Sequence, residues 1–425
     1  MRRLARENAL CALAAGAGSA TMAWLGLYGF AWNDYDTEAR PAFEALVHGH
    51  VLSFLRLAPA YGGSLVERAP FALIPGLWEG GQLAVYRMVA LPCLLAAAGL
   101  GVWLCAQMRA AERPALWRAV ALGVCVANPL TLRALELGHP EELLGGALCV
   151  AAVLLAAHER PLWAGVTLGL AIANKEWALL AVGPVLLALP SRRALCMLSA
   201  GALAALVLAP LALVGSGGFV ASTRATAAPP STIFQPWQAF WFFGHHGEVV
   251  RGLFGAVKPG YRIAPGWVGT VSHPLILLAG LVIPASMWLQ ARRRGLRRLA
   301  ERDALLALAL MLLLRCLLDT WDTVYYPLPF VLALLAWEII GETRRPPVFA
   351  LLATVLMWIS FQWLPAHISA DAQAAFFLAW SLPLAGALAL RLFAPRRRPE
   401  LLRTPVRLTP VLGEERSRPP WATSI

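Results

Sequence analysis

Long apolar runs separated by short polar connections dominate this chain. The first run, from about Ala9 to Phe30, is long enough to cross a hydrocarbon layer of roughly 30 Å. With it, the pattern predicts about twelve helices. The other runs lie near 83–108, 119–134, 142–157, 161–174, 176–190, 194–214, 273–290, 304–318, 325–341, 347–363 and 374–393. The chain is therefore predicted to be an all-α polytopic membrane protein.

Arginine clusters occupy every second connection between these runs. They comprise Arg109, Arg113 and Arg118, then Arg160, Arg192 and Arg193, Arg292 to Arg302, Arg344 and Arg345, and Arg396 to Arg398. The alternate connections carry most of the acids. Because basic residues are retained on the cytoplasmic side of a membrane, this alternation predicts that both termini are cytoplasmic and that the acidic connections lie on the outer face.

The same pattern divides the chain into a membrane domain, residues 1–393, and a tail, residues 394–425. Two outer connections of the membrane domain are long, about 33–82 and about 215–272. Within the first, the apolar spacing from Pro41 to Leu57 predicts an amphipathic helix at the membrane interface. The tail is rich in Arg and Pro without apolar periodicity, which predicts a disordered basic cytoplasmic extension.

Composition supports the membrane assignment. Hydrophobic residues make up 59% of the 425 positions, charged residues only 14%, and mean hydropathy is +0.63. Such a chain has too little polar surface to cover a soluble globule. The formal charge of +12 would suggest nucleic-acid binding in a soluble protein, but here the basic residues lie between apolar runs as topology signals. No nucleic-acid partner is predicted.

The connection after the first run holds three carboxylates within five positions, at Asp34, Asp36 and Glu38. Inserting or anchoring a helix does not require acids at a membrane edge, so we interpret them as the catalytic edge of a membrane enzyme. The alternative interpretation is a solvated loop, or a cap on the helix that follows.

Two further outer turns carry candidate chemistry. His139 and Glu141 lie in a tight turn after Gly138, where the simpler interpretation is a helix start whose acids complement the macrodipole. Lys175, one of two lysines in the chain, lies between two short apolar runs. A lysine at membrane depth requires a partner, which is either Glu176, a nearby helix end, or the phosphate of a substrate.

The last candidate segment begins at the end of the run near 304–318 and reaches the start of the next run. Arg315 and Asp319 have the i, i+4 spacing of a simple helical ion pair, and a substrate-binding role is the alternative. Tyr325 and Tyr326 follow within one short connection. Earlier in the chain, Arg68 lies in the first long outer connection. With Lys175 and Arg315, it makes three candidate cations.

Taken in this order, the motifs resemble the GT-C superfamily of membrane glycosyltransferases, and most closely its GT87-type, mannosyltransferase-like branch. The resemblance covers roughly residues 1–340. It rests on the acidic first outer loop, Gly138-His139-Pro140-Glu141-Glu142, Gly165-x-x-x-Gly169-x-x-x-x-x-Lys175, and Arg315…Asp319…Tyr325-Tyr326-Pro327. The chain departs from many GT87-type members, which have Gly-Gln and an Asn where this chain has Gly138-His139 and the two glutamates.

The resemblance implies an inverting hexosyl transfer, with mannose as one candidate sugar, from a polyprenyl-phosphate-linked donor to a lipid or glycan acceptor. It implies an enzyme of the bacterial inner membrane with its active site on the outer face. The general base that takes the proton of the acceptor hydroxyl would be Asp36, with Asp34 as the close alternative. The substrate-binding residues would be Arg68, His139, Glu141, Lys175, Arg315, Asp319, Tyr325 and Tyr326. No cofactor is required, although a divalent cation held by carboxylates is compatible with this chemistry.

Two other classes of protein fit about twelve helices. A secondary transporter would show similar halves, charges in mid-helix and a long central cytoplasmic loop. Here the long connections are predicted to be outer and the charges to lie at helix ends. A lipid-linked oligosaccharide ligase or polymerase also uses outer basic residues, and would be distinguished by its oligosaccharide donor.

Overall fold

The protein was analysed as a computed structural model that describes residues 2–28, 34–59, 61–215, 234–246, 260–341 and 345–394. Part of the second long outer connection, and the predicted basic tail from residue 395 onward, lie outside these ranges. The α-helices are α1 Arg2–Tyr28, α2 Arg40–Val47, α3 Val51–Leu57, α4 Gly62–Ala72, α5 Gln82–Ala110, α6 Ala115–Val126, α7 Pro129–Leu137, α8 Glu141–Ala157, α9 Pro161–Asn174, α10 Val182–Ala188, α11 Arg193–Val214, α12 Gly266–Arg293, α13 Glu301–Leu318, α14 Leu328–Gly341, α15 Val348–Trp358 and α16 Ala370–Phe393.

Every predicted apolar run contains helix, so the all-α prediction is confirmed. Among the described residues, seven helical segments are long and apolar enough to cross a membrane. They are Glu7–Leu27, Gln82–Ala110, Ala115–Leu137, Arg193–Val214, Gly266–Arg293, Val348–Ala366 and Ala370–Phe393. The remaining helices are shorter or more charged, so the number of twelve spanning helices stays a prediction.

The predicted amphipathic helix from Pro41 to Leu57 is wrong in one respect, because it is two helices. Gly49 adopts a left-handed backbone conformation (φ 79°) between α2 and α3. Glycine has no Cβ to oppose this conformation, so it ends α2 without strain. A π-helical turn, Tyr35–Ala39, leads directly into α2. Asp34 precedes this turn, and Asp36 and Glu38 lie within it.

The second long connection is ordered where the structure describes it. Phe234, Phe240 and Trp241 are buried in a small apolar cluster. The strands β1 (His245–His246) and β2 (Arg262–Ile263) then pair in antiparallel fashion. The concentration of aromatic residues in this segment therefore corresponds to a packed structure.

The centre of the molecule is built by α8, α9, α13 and α14. The side chains from Ala304 to Leu313 in α13 are all buried, which explains why its sequence is apolar on every side. Gly165 and Gly169 lie against α11, where an added Cβ at Gly165 would come within 2.2 Å of the Cys196 carbonyl oxygen. Small residues at these positions let α9 and α11 approach closely.

Candidate active site

Charged side chains from four elements meet in the interior, near the start of α8 and the ends of α9 and α13. Glu141 and Glu142 open α8, Lys175 follows α9, Arg315 lies in the last turn of α13, and Arg68 comes from α4. We call these five residues the ion-pair cluster. Since α8 packs on α9 and α13, and α4 packs on α9, four distant parts of the sequence are brought to one place.

The two glutamates of the ion-pair cluster share its three cations. Lys175 Nζ lies 3.1 Å from Glu141 Oε1 and 3.2 Å from Glu142 Oε1. Arg68 Nη2 lies 3.4 Å from Glu141 Oε2, and Arg315 Nη1 and Nη2 donate to Glu142 over 3.2 and 3.3 Å. Both carboxylates are fully buried. Loss of any one partner would therefore leave an uncompensated charge in the interior, which strongly destabilises a protein.

Aromatic rings enclose two of these cations. The Arg315 guanidinium lies over the rings of Trp177 and Tyr326, at 4.8 and 4.2 Å from their centroids. The Lys175 ammonium lies 4.7 Å from the centroid of the Tyr61 ring. Ring faces attract cations by their quadrupole, so these contacts hold both positive charges where solvent is largely excluded.

His139 connects the ion-pair cluster to the acidic stretch. Its Nδ1 lies 2.8 Å from Glu141 Oε1, and its Nε2 lies 3.1 Å from Asp34 Oδ2. Burial lowers the pKa of His139, but the Glu141 carboxylate and the hydrogen bonds with Asp34 and Glu141 outweigh it and raise this pKa to about 9. The imidazole is therefore held as an imidazolium that donates to both carboxylates.

A glycine makes this connection sterically feasible. Gly138 has a left-handed backbone conformation (φ 91°), and an added Cβ would lie 2.6 Å from the Tyr35 backbone nitrogen. The segment that carries Asp34 therefore packs directly against the turn before His139. Any larger residue at position 138 would separate the acidic stretch from the buried charges.

The two candidate bases have different surroundings. The Asp34 side chain is 42% exposed and reaches His139. Asp36 instead forms a 2.7 Å ion pair with Arg40, which also pairs with Glu44 along α2. Through these contacts Asp34 belongs to the connected charge network, whereas Asp36 belongs to a local helical ion pair.

The residues after α13 line the same region. The Tyr325 ring lies 4.3 Å from the His139 ring, and Tyr326 covers Arg315. Asp319 is not the carboxylate partner of Arg315, because Arg315 pairs with Glu142. Asp319 Oδ1 instead accepts from the Trp321 backbone nitrogen, and its Oδ2 lies 3.6 Å from His273 Nε2. The i, i+4 spacing thus gave the wrong partner.

The sequence interpretation left several contributors out of the site, among them Trp177, whose ring contacts Arg315. Glu142 binds two cations of the ion-pair cluster, Tyr61 covers Lys175 and hydrogen-bonds to Glu38, and His273 contacts Asp319. Adjacent acids at a helix start were a usable signal for Glu142. Nothing in the local pattern marked Tyr61 or His273, because their partners are remote in sequence.

The ion-pair cluster has a charge imbalance that matters chemically. Within its five residues, three cations outnumber two carboxylates, while His139 and Asp34 offset each other. Outside the cluster, Glu176 and Asp319 add smaller negative contributions at Lys175 and Arg315. A compact anion with one negative charge, such as a phosphodiester, would balance the cluster. Among the described residues, no group of three His, Cys, Asp or Glu side chains is arranged to hold a metal ion.

The comparison with known families assigns the class. Residues 62–317, more than half of the chain, match Glycosyltransferase family 87. The chain therefore belongs to this family and is a multi-pass membrane glycosyltransferase. The match contains the whole ion-pair cluster and His139, whereas Asp34 and Tyr326 lie outside it. No curated protein and no solved structure matched the chain.

Proposed function

We propose that this protein transfers a hexose from a polyprenyl-phosphate-linked donor to a hydroxyl group of a lipid or glycan acceptor, with inversion at the anomeric carbon. The outer face of the plasma membrane is the proposed location of the reaction. The observation that carries the proposal is the buried cluster with one excess positive charge, connected through His139 to a partly exposed carboxylate. A sugar phosphodiester supplies the anion, and an acceptor hydroxyl requires the carboxylate.

In this mechanism the cations act on the leaving group. As the bond between the anomeric carbon and the phosphate oxygen breaks, negative charge grows on the phosphate. Preorganised cations in a water-poor site stabilise such charge more than they stabilise the bound ground state. Lys175 has the most exposed side chain of the three cations, at 10%, so it is the proposed first phosphate contact. Arg315 and Arg68 lie deeper.

The base assignment follows from the contacts. A general base must lie within hydrogen-bond reach of the acceptor hydroxyl, which in turn lies beside the sugar and its phosphate. Asp34 is joined to Lys175 and Arg68 through His139 and Glu141, so we prefer it to Asp36, the first choice from the sequence. His139 occupies Asp34 Oδ2, and the second oxygen is the proposed proton acceptor.

The experiment compares Asp34→Asn with its matched control Asp36→Asn in purified enzyme given a polyprenyl-phosphate-linked hexose. Asp34→Asn should lower kcat by about 10² to 10⁴ with little change in donor affinity, because general-base loss affects chemistry rather than binding. Asp36→Asn should be mild. The reverse result would move the base to Asp36, and full activity in both variants would refute carboxylate base catalysis here.

A further inference from the structure

A positively charged cavity lies at the opposite end of α13 from the ion-pair cluster. Arg315 and the first residue of α13, Glu301, are separated by roughly 20 Å of helix. Just before Glu301, Arg297 and Arg298 line a cavity of about 260 Å³ together with Arg193 and Arg292. We call this cavity the arginine pocket. It is too far from the ion-pair cluster to belong to the same site.

The arginine pocket has a strongly positive wall. Four of its ten lining residues are arginines, and none is acidic. Of these four, Arg298 has an acidic partner among the described residues, Glu159, whose side chain is 62% exposed. Four guanidinium groups around one cavity repel each other, so an anion in the cavity would be stabilised.

Backbone contacts hold part of this wall in position. Arg193 Nη2 donates to the Leu189 and Arg297 carbonyl oxygens, at 3.0 and 2.9 Å, and Arg298 Nη1 donates to the Ala157 carbonyl oxygen at 3.1 Å. The Arg292 and Arg297 residues are exposed. The site thus combines two positioned guanidiniums with two accessible ones, an arrangement suited to the several oxygens of a phosphate.

The surroundings of the arginine pocket indicate where such a phosphate would come from. α12 is a candidate membrane-spanning helix, and its exposed apolar side chains Leu281, Val282 and Leu289 lead toward its basic last turn. Trp288, which also lines the pocket, contacts Arg292 at 4.8 Å from its ring centroid. Tryptophan and arginine at the end of an apolar helix are typical of the headgroup level of a bilayer.

We propose that the arginine pocket binds the phosphate of an anionic glycerophospholipid in the membrane leaflet opposite the candidate active site, with the acyl chains against the exposed face of α12. The volume of about 260 Å³ is slightly below the roughly 300 Å³ at which pockets for drug-sized ligands begin. It therefore suits a headgroup phosphate rather than a whole lipid. Basic cavities between membrane helices are known to serve anionic lipid headgroups in this way.

The test measures lipid binding by purified full-length protein in neutral detergent, using native mass spectrometry with dioleoylphosphatidylglycerol. The double variant Arg292→Gln/Arg297→Gln removes two exposed guanidiniums of the pocket. Its matched control, Arg293→Gln/Arg294→Gln, removes two exposed arginines of the same segment that do not line the pocket. Given the contribution of each basic residue at a membrane surface, the pocket variant should bind the lipid about 30-fold more weakly.

Three outcomes would overturn the proposal. An equal loss in both variants would show that surface charge alone attracts the lipid. Equal binding of dioleoylphosphatidylcholine would show that the anionic headgroup is not recognised. Competition by millimolar inorganic phosphate as effective as that by the lipid would identify a free phosphate as the ligand. Thermal unfolding of each variant without lipid controls for misfolding.

Discussion

The contacts of His139 lead to a prediction about pH. Its two ring nitrogens face two carboxylates, Glu141 at 2.8 Å and Asp34 at 3.1 Å. A neutral imidazole has one N–H group and can satisfy only one of them, whereas an imidazolium donates to both. The native protein should therefore bind the His139 proton more tightly than the unfolded chain does.

The magnitude follows from the two pKa values. In the native protein the pKa of His139 is raised from 6.5 to about 9. A tenfold change in proton affinity corresponds to about 1.4 kcal/mol, so the rise corresponds to roughly 3 kcal/mol of unfolding free energy. Because the native pKa is the higher one, this contribution is complete below pH 6.5 and is lost as the pH rises to about 9.

The assay compares reversible unfolding in mixed micelles for the wild type and His139→Gln, from pH 6 to pH 10. The wild type should lose about 3 kcal/mol relative to the variant over this range. His48→Gln is the matched control, since His48 is exposed at the end of α2 and its ring bonds to the Glu44 carbonyl oxygen rather than to a carboxylate. Parallel pH curves for the wild type and His139→Gln would refute the imidazolium bridge.

Two further predictions concern packing and charge. Glu142→Gln should destabilise the protein by about 3–5 kcal/mol, because Arg315 loses its carboxylate partner, while Glu159→Gln at an exposed pair should cost at most about 1 kcal/mol. Equal melting temperatures for these two variants would contradict this. Gly165→Ala should cost about 1–3 kcal/mol, since its Cβ would meet the backbone of α11, and an unchanged melting temperature would show that the helices separate freely.

Much of this protein was predictable because a bilayer restricts the available structures. Without water to satisfy backbone groups, apolar segments must be helical, and every apolar run predicted from hydropathy contains helix. The break at Gly49 was not predicted, because the apolar spacing on either side suggested one continuous helix. Chain-wide patterns therefore predicted the fold class well and predicted local interruptions less well.

Charged pairs were harder to predict, because a pair depends on distance in space. The spacing of Arg315 and Asp319 suggested a partnership, yet the partner is Glu142, 173 positions away in the sequence. Lys175 likewise pairs with two carboxylates at the start of α8 rather than with the adjacent Glu176. Burial determined these pairings, because a cation enclosed by packed helices must pair with a carboxylate that is enclosed with it.

The sequence by itself predicted the all-α class, the helical apolar runs and most residue types of the candidate site. Only the tertiary structure decided which acid belongs to that site. Asp34 and Asp36 are two positions apart and chemically identical, but the packing of Tyr35 against Gly138 sends Asp34 to His139, while Asp36 pairs with Arg40 along α2. The physical reason is that helix packing, which acts over the whole chain, determines the environment of each carboxylate.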